Sequence, residues 1–295
     1  MREFEFLEPA SVVEASRLLA THGDDCRVIA GGTALLLALR QRMAAPTHLV
    51  SLGCIEALRG IAWDEKLGLR IGALTPHAEL ARSPLVRRHV PMLAEMAAHM
   101  ANPQIRNQGT LGGNLCYADP ATDPPTCLIA LGAEITIGGQ QGERTVAAED
   151  FVVDYYTTAL QPDEIVTAIR VPPPPVGHDG RYTRFKRTAA EHRPLVNAAV
   201  SVTRSGTRCT AARVVVGASV PMPARVPRAE ALLQEGAVNP ETVAAAADAA
   251  AQDIFALSDS RGSEDYRRDM VRVVVRRTLQ TLFELSPEPS TWANI

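Results

Sequence analysis

Four consecutive prolines, Pro172-Pro173-Pro174-Pro175, constrain this 295-residue chain more than any other stretch. Proline lacks a backbone N–H and fixes its own φ, so the run fits neither a helix interior nor a sheet ladder and stands as a stiff, extended connector. Whatever precedes it must close its own core, and a new unit is expected to begin beyond it. The expected division is therefore 1–175, with parts at about 1–55 and 56–175, then 176–286, then a turn-rich tail at 287–295. The length suffices for two domains with proper cores.

Within the first unit, Ser11-Val12-Val13-Glu14 has the form of a capping box, and the helix that it opens should stop near Gly23. An N-terminal edge strand over 1–6 precedes it. A strand over 26–30, a helix over 33–43 and a strand over 47–52 complete a small α/β unit. A strand over 67–74 leads to Thr75-Pro76, a good helix start. The spacing of Val86, Val90, Leu93, Met96, Ala97 and Met100 predicts one helix over 83–100. Strands over 134–137 and 164–171 close a second α/β unit. Beyond the prolines, strands are expected over 182–186, 196–203 and 212–217, the last two joined by a hairpin at Ser205-Gly206, with helices over 229–234, 240–254 and 263–285.

A net charge of -3 with mixed signs gives no field for nucleic acid. The apolar run at Leu35-Leu36-Leu37-Ala38-Leu39 ends at Arg40, far short of bilayer length. The five cysteines include no Cys-x-x-Cys pair, which argues against a disulfide framework and against a zinc or iron–sulfur site built by this chain alone, and fits a reducing cytoplasm. The seven histidines show no metal-ligand spacing; His77 reads as a first-turn residue. No Walker loop, nicotinamide fingerprint or serine–histidine–carboxylate motif is present.

Two glycine pairs about eighty residues apart carry the functional signal: Ala30-Gly31-Gly32-Thr33, and Thr110-Leu111-Gly112-Gly113-Asn114. Each is read as a place where the chain turns into a polar loop. Glycines there let backbone N–H groups approach an anion without an intervening Cβ. The second pair sits in a longer polar segment that begins at Asn102-Pro103-Gln104-Ile105-Arg106-Asn107 and ends at Asp123. Together with the Glu164-Ile165-Val166 strand and the Phe185-Lys186-Arg187 stretch, these segments resemble the flavin-binding subunit of the molybdenum hydroxylases, the group that includes the medium subunit of carbon monoxide dehydrogenase and the flavin domain of xanthine dehydrogenase.

The resemblance implies an α+β fold, a two-part α/β FAD-binding domain of the PCMH type followed by a C-terminal domain of a small antiparallel sheet with a helix bundle. It implies that Ile29, Ala30, Gly31, Gly32, Thr33, Ala34 and Leu35, together with Thr110, Gly112, Gly113 and Asn114, wrap the FAD diphosphate. Asp123 would accept hydrogen bonds from the cofactor's hydroxyl chain, although a turn residue is the alternative on spacing alone. Lys186 would lie near the pyrimidine side of the flavin, Ile165 or Val166 would supply an apolar contact, and Ala101 joins the same set. Arg106 reads as a tie to Asp119 or a neighbouring carboxylate.

In function, the resemblance implies an oxidoreductase subunit in the cytoplasm that carries FAD non-covalently. Its partners would be a small [2Fe–2S] iron–sulfur subunit and a large molybdopterin subunit, in a dimer of heterotrimers, with an external electron acceptor. No metal site is expected in this chain. Two other readings stay open: a stand-alone FAD-dependent oxidoreductase of the related fold with its own substrate site, and an assembly subunit that has lost its flavin.

Overall fold

A computed structural model of the chain describes residues 3–206 and 208–285. The expected tail at 287–295 lies outside them. Strand β1 (Glu5–Leu7) is followed by helix α1 (Val12–His22), strand β2 (Cys26–Ile29), helix α2 (Leu35–Arg40) and strand β3 (His48–Ser51). The Ser11 hydroxyl accepts from Glu14 N at 3.2 Å, while the Glu14 carboxylate reaches past Ser11 to Ala10 N at 2.9 Å, so the capping box closes one residue early. The three strands pair in parallel in the order β1-β3-β2, leaving β1 at an edge. Helix α2 is shorter than expected because the chain turns through residues 31–34 before it starts.

The second part begins with the hairpin β4 (Ile61–Asp64) and β5 (Gly68–Gly72). A run of helices follows: α3 (His77–Arg82), α4 (Pro84–His89), α5 (Pro91–His99), α6 (Pro103–Gln108), α7 (Leu111–Tyr117) and α8 (Pro124–Ala130). The single helix expected over 83–100 is in fact two. Val90 takes an extended φ of -141° because Pro91 follows it, and Pro91 restarts the helix at its first position. The apolar spacing survives the break, since Val86, Leu93, Met96 and Ala97 are all buried.

Then come β6 (Glu134–Gly139), β7 (Gly142–Ala147), a short helix α9 (Ala148–Phe151), the small ribbon β8 (Val152–Asp154) and β9 (Thr157–Thr158), and β10 (Ile165–Val171). The main sheet has the order β4-β5-β10-β6-β7 and is antiparallel throughout, with α3 to α8 all inserted between β5 and β6. Its core is filled by Leu69, Ile71, Leu80, Leu93, Met96, Leu111 and Phe151, among others.

The prolines follow β10 directly and lead into β11 (His178–Phe185), β12 (Val196–Ser205), β13 (Arg208–Gly217) and β14 (Ala224–Arg225), an antiparallel sheet in that order. Ser205 pairs with Arg208 across the expected hairpin. Helices α10 (Pro227–Gln234) and α12 (Glu264–Leu282) pack on this sheet and α11 (Pro240–Gln252) packs on both helices, all sharing a second core with the sheet. The alanine-rich face of α11 (Ala246, Ala247, Ala250) permits close approach.

Helix α8 joins the two halves. Every one of its residues is buried, as expected of a helix with neighbours on all sides. It packs on α5 and α7 and against β12 and β13. At its first turns, Thr126 Oγ1 donates to Asn197 Oδ1 at 2.9 Å, and Asn197 Nδ2 donates to Thr122 O at 2.8 Å. Asn197 lies on β12 and is fully buried. Truncating it leaves a buried hydroxyl and a buried carbonyl without partners, at about 1–3 kcal/mol for an unmet buried group. Asn197→Ala is therefore expected to lower unfolding free energy by about 2–3 kcal/mol, read from the midpoint of urea denaturation; a loss below half a kilocalorie would show that α8 is held by apolar packing alone.

Candidate functional site

The loop that leaves β2 and the connection between α6 and α7 lie against each other. A Cβ built on Gly31 would sit 1.8 Å from Gln108 O, so only glycine allows the two backbones to come this close. One built on Gly109 would lie 3.3 Å from Thr33 Oγ1, and one on Gly113 3.6 Å from Ala30 Cβ. Gly32, with φ +71°, turns the chain back toward α2, and Leu36 N donates to Gly32 O at 2.9 Å. Among the described residues, the N–H groups of Gly31, Gly32, Thr33 and Ala34 have no acceptor. Four consecutive free donors on a turn are available to an anionic group. The residues present therefore fit a diphosphate.

The second glycine pair does something different. It lies in the first turn of α7, not in a loop, and Thr110 caps that helix, its Oγ1 accepting from Gly113 N at 3.1 Å. Leu111 N donates to Thr75 O and Gly112 N to Ala73 O, so these N–H groups are already committed within the protein. A Cβ on Gly112 would fall 2.7 Å from Ala73 Cβ. The pair lets α7 seat itself on the turn after β5. Its polar neighbours remain open to a bound group: the Asn114 side chain accepts from Thr122 Oγ1 at 2.7 Å through Oδ1 and keeps its amide N–H groups.

Asp123, at the start of α8, is buried and faces β11. The Tyr182 hydroxyl donates to it, and Arg184 Nε stands 3.5 Å away. Arg184 Nη1 and Nη2 are anchored on His99 O at 2.7 Å and His192 O at 2.6 Å. Burial pushes the Asp123 carboxyl above its ordinary value, with the Arg184 guanidinium pulling the other way; the same burial, beside Asp123, raises the Tyr182 phenol. Lys186, just past β11, is close enough for its charge to act on Asp123, and its Nζ donates to Ala189 O at 3.0 Å.

The remaining expected residues are spread around this centre. Ala101 has φ +44° and accepts from Arg106 Nη1 at 3.0 Å, with Met100 O at 2.8 Å. Arg106 thus ties down the turn before α6 and does not reach Asp119, which is paired with Arg193 instead. Ile29 ends β2, where its carbonyl accepts from Leu52 N at 3.0 Å. Leu35 opens α2. Ile165 and Val166 sit on opposite faces of β10 inside two different cores. A cavity of about 310 Å³ lies behind the proline run, bordered by Pro174, His178 and Ser201, and none of the expected residues lines it.

Sequence reasoning missed Tyr182, Arg184 and His77. The first two look like ordinary alternating strand residues, and only the fold brings them to Asp123. His77, the first residue of α3, is 2% exposed and lies beside Gly109. Burial lowers its pKa to about 4.

Two outcomes follow. Gly112→Ala should act on folding before binding, because the added methyl meets Ala73 within a packed core; a destabilisation of about 1–3 kcal/mol in denaturant titration is expected, and a variant of native stability would contradict the packing role. For His77, the folded value lies below the ordinary 6.5, so stability from its neutral form is complete above pH 6.5 and is lost as pH falls through 4. The slope cannot exceed about 1.4 kcal/mol per pH unit for one group. In thermal melts between pH 7 and pH 4, His77→Gln should lose stability less steeply than the native chain; parallel curves would refute this.

The geometry agrees with what comparison with known proteins shows. Residues 2–174 match the FAD binding domain in molybdopterin dehydrogenase, and residues 181–282 match the CO dehydrogenase flavoprotein C-terminal domain. The chain is 37% identical over 276 residues to the nicotine 6-hydroxylase medium subunit of Paenarthrobacter nicotinovorans, covering 93% of this chain and 95% of that one. It is 35% identical to the carbon monoxide dehydrogenase medium chain of Afipia carboxidovorans, covering 94% and 96%. Among solved structures, a chain of carbon monoxide dehydrogenase from Hydrogenophaga pseudoflava superposes with a TM-score of 0.92 at 36% identity, over 97% of this chain and 99% of that one. The protein belongs to the family of FAD-binding medium subunits of the molybdenum hydroxylases, oxidoreductase components that include the medium chain of carbon monoxide dehydrogenase and the FAD-binding subunit of xanthine dehydrogenase.

Proposed function

We propose that this chain is the electron-transfer subunit of a heterotrimeric molybdenum hydroxylase, receiving electrons from the [2Fe–2S] clusters of a small partner subunit and passing them to an external acceptor. A large molybdopterin subunit oxidises the substrate. The observation that carries the cofactor reading is the run of free N–H groups at Gly31, Gly32, Thr33 and Ala34, closed over by Gln108 and Gly109. The partner reading rests on whole-length similarity to chains named as medium subunits of larger enzymes.

FAD, when bound, supplies the redox chemistry, taking electrons singly and releasing them as a pair. The chain's residues do the rest. The loop donors hold the diphosphate, and Thr110 and Asn114 border it with a hydroxyl and a free amide. Gly112 and Gly113 contribute by making room for α7. Asp123 holds hydroxyls of the cofactor chain while Tyr182 and Arg184 keep it in place. Lys186 sets a positive charge beside the ring, which favours its anionic reduced form. Ile29, Ala30, Leu35, Ala101, Ile165 and Val166 shape the apolar and backbone surroundings. Residues 1–175 form the FAD-binding domain, in two parts, and 176–286 the C-terminal domain. The complex is a cytoplasmic dimer of heterotrimers; no helix among the described residues is long and apolar enough to cross a membrane.

Purified from cells, the protein should be yellow, with one FAD per chain that acid precipitation releases into the supernatant, because no attachment chemistry is built at the loop. It should co-purify with an iron–sulfur and a molybdenum subunit. Flavin retained in the pellet would overturn non-covalent binding, and a folded chain that takes up no FAD would favour an assembly role.

A further inference from the structure

His77 is a buried polar side chain whose ring makes no hydrogen bond among the described residues. Its backbone N–H donates to Gly109 O at 3.0 Å, and the Pro76 and Thr110 backbones form a bridge beside it, so the start of α3 is stitched to the connection that faces the first glycine loop. The ring is turned toward that connection: its Cδ2 lies 3.3 Å from the point where a Cβ on Gly109 would stand, and Thr33 Oγ1 lies 3.3 Å from the same point. Imidazole and hydroxyl therefore both border Gly109, where any side chain would crowd them. Nδ1, on the ring edge away from Cδ2, is buried with no hydrogen-bond partner, and Nε2, the nitrogen next to Cδ2 and so on the Gly109 side, makes no hydrogen bond among the described residues.

A buried polar atom left unmet costs about 1–3 kcal/mol. The other residues of α3 that face inward, Ala78, Leu80 and Ala81, are apolar, and an apolar first residue would avoid the cost. The other unmet buried atoms have different settings. Trp63, on β4, is stacked on His89 of α4, Arg184 makes two other hydrogen bonds, and Arg268 pairs with Glu264.

We propose that His77 is a ligand of the bound cofactor's diphosphate, its imidazole donating Nε2–H to a phosphate oxygen held between the Gly31–Ala34 donors and Gly109. This rests on the reading of the loop as an FAD site and adds a side-chain donor to it. Phosphate oxygens are acceptors only, so the partner must donate, which a neutral imidazole does through one nitrogen. A neutral ring also spares the apoprotein a buried charge. His77 thus holds a buried donor ready, where a lysine would have to be desolvated.

The test uses the full-length apoprotein, with ¹⁵N-labelled histidine and the ring signals of His77 assigned through backbone connectivities. On titration with FAD, one His77 ring nitrogen should shift as flavin fluorescence reports binding; riboflavin, which has no phosphate, should leave it in place. In parallel, His77→Leu should weaken FAD binding tenfold or more with a native circular dichroism spectrum, and His77→Gln, which keeps a donor, should recover part of the loss. FAD binding with an unmoved His77 signal would overturn the assignment even if the variants failed to fold. Equal affinity in a folded His77→Leu variant would also overturn it. No FAD uptake by the native apoprotein would overturn the cofactor reading itself.

Discussion

Asp123 meets Tyr182 and Arg184 where almost no water reaches, and the two halves of the protein are oriented by that meeting. A carboxyl so buried must have partners, and those partners come from β11, across the proline connector. Asn197 repeats the arrangement one strand further on, satisfying Thr122 and Thr126 at the two sides of the same helix start. Gly217 on β13 has to be glycine for this, since a Cβ there would stand 2.1 Å from Thr126 Oγ1. Polar contacts of this kind add little net stability, but they are directional and tolerate no slippage. They fix where Lys186 and the end of β11 come to rest beside Asp123.

Much of this was legible in the sequence, and the reasons are local. Ser11 and Glu14 announce α1 because a cap is a short-range contact. The prolines announce the change of sheet because their chemistry forbids anything else. Ser205-Gly206 announces a hairpin. The first glycine loop could be read because strand, turn and helix are adjacent in the chain. What stayed hidden was non-local. Antiparallel pairing of β5 and β10 joins residues about a hundred positions apart, and no periodicity encodes which neighbour a strand chooses. The break at Val90 was written in Pro91, but the apolar spacing of the two short helices reads through it as one.

The two glycine pairs look alike in the sequence and differ in the molecule. Gly31 and Gly32 leave donors free, whereas Gly112 and Gly113 use theirs internally and leave out side chains so that α7 can dock on Ala73. The distinction depends on Ala73 and Thr75, residues in neither pair. His77 was invisible for the same reason: a histidine at the first position of a helix is unremarkable until Gly109 and Thr33 are seen around it.

The close approach of Gly31 to Gln108 has a kinetic side. The two segments are far apart along the chain, and the main sheet's β4 and β5 and the helices up to α6 must be in position before they meet. Loop closure over such a span costs entropy before any contact rewards it, so this cradle depends on the rest of the first unit to hold its two sides together. A nascent chain carrying only the first glycine loop has the donors but no lid. Binding of a group that recognises only the closed arrangement then stabilises the completed chain by mass action and leaves incomplete chains unprotected, which makes occupancy of the cradle a mark of finished folding.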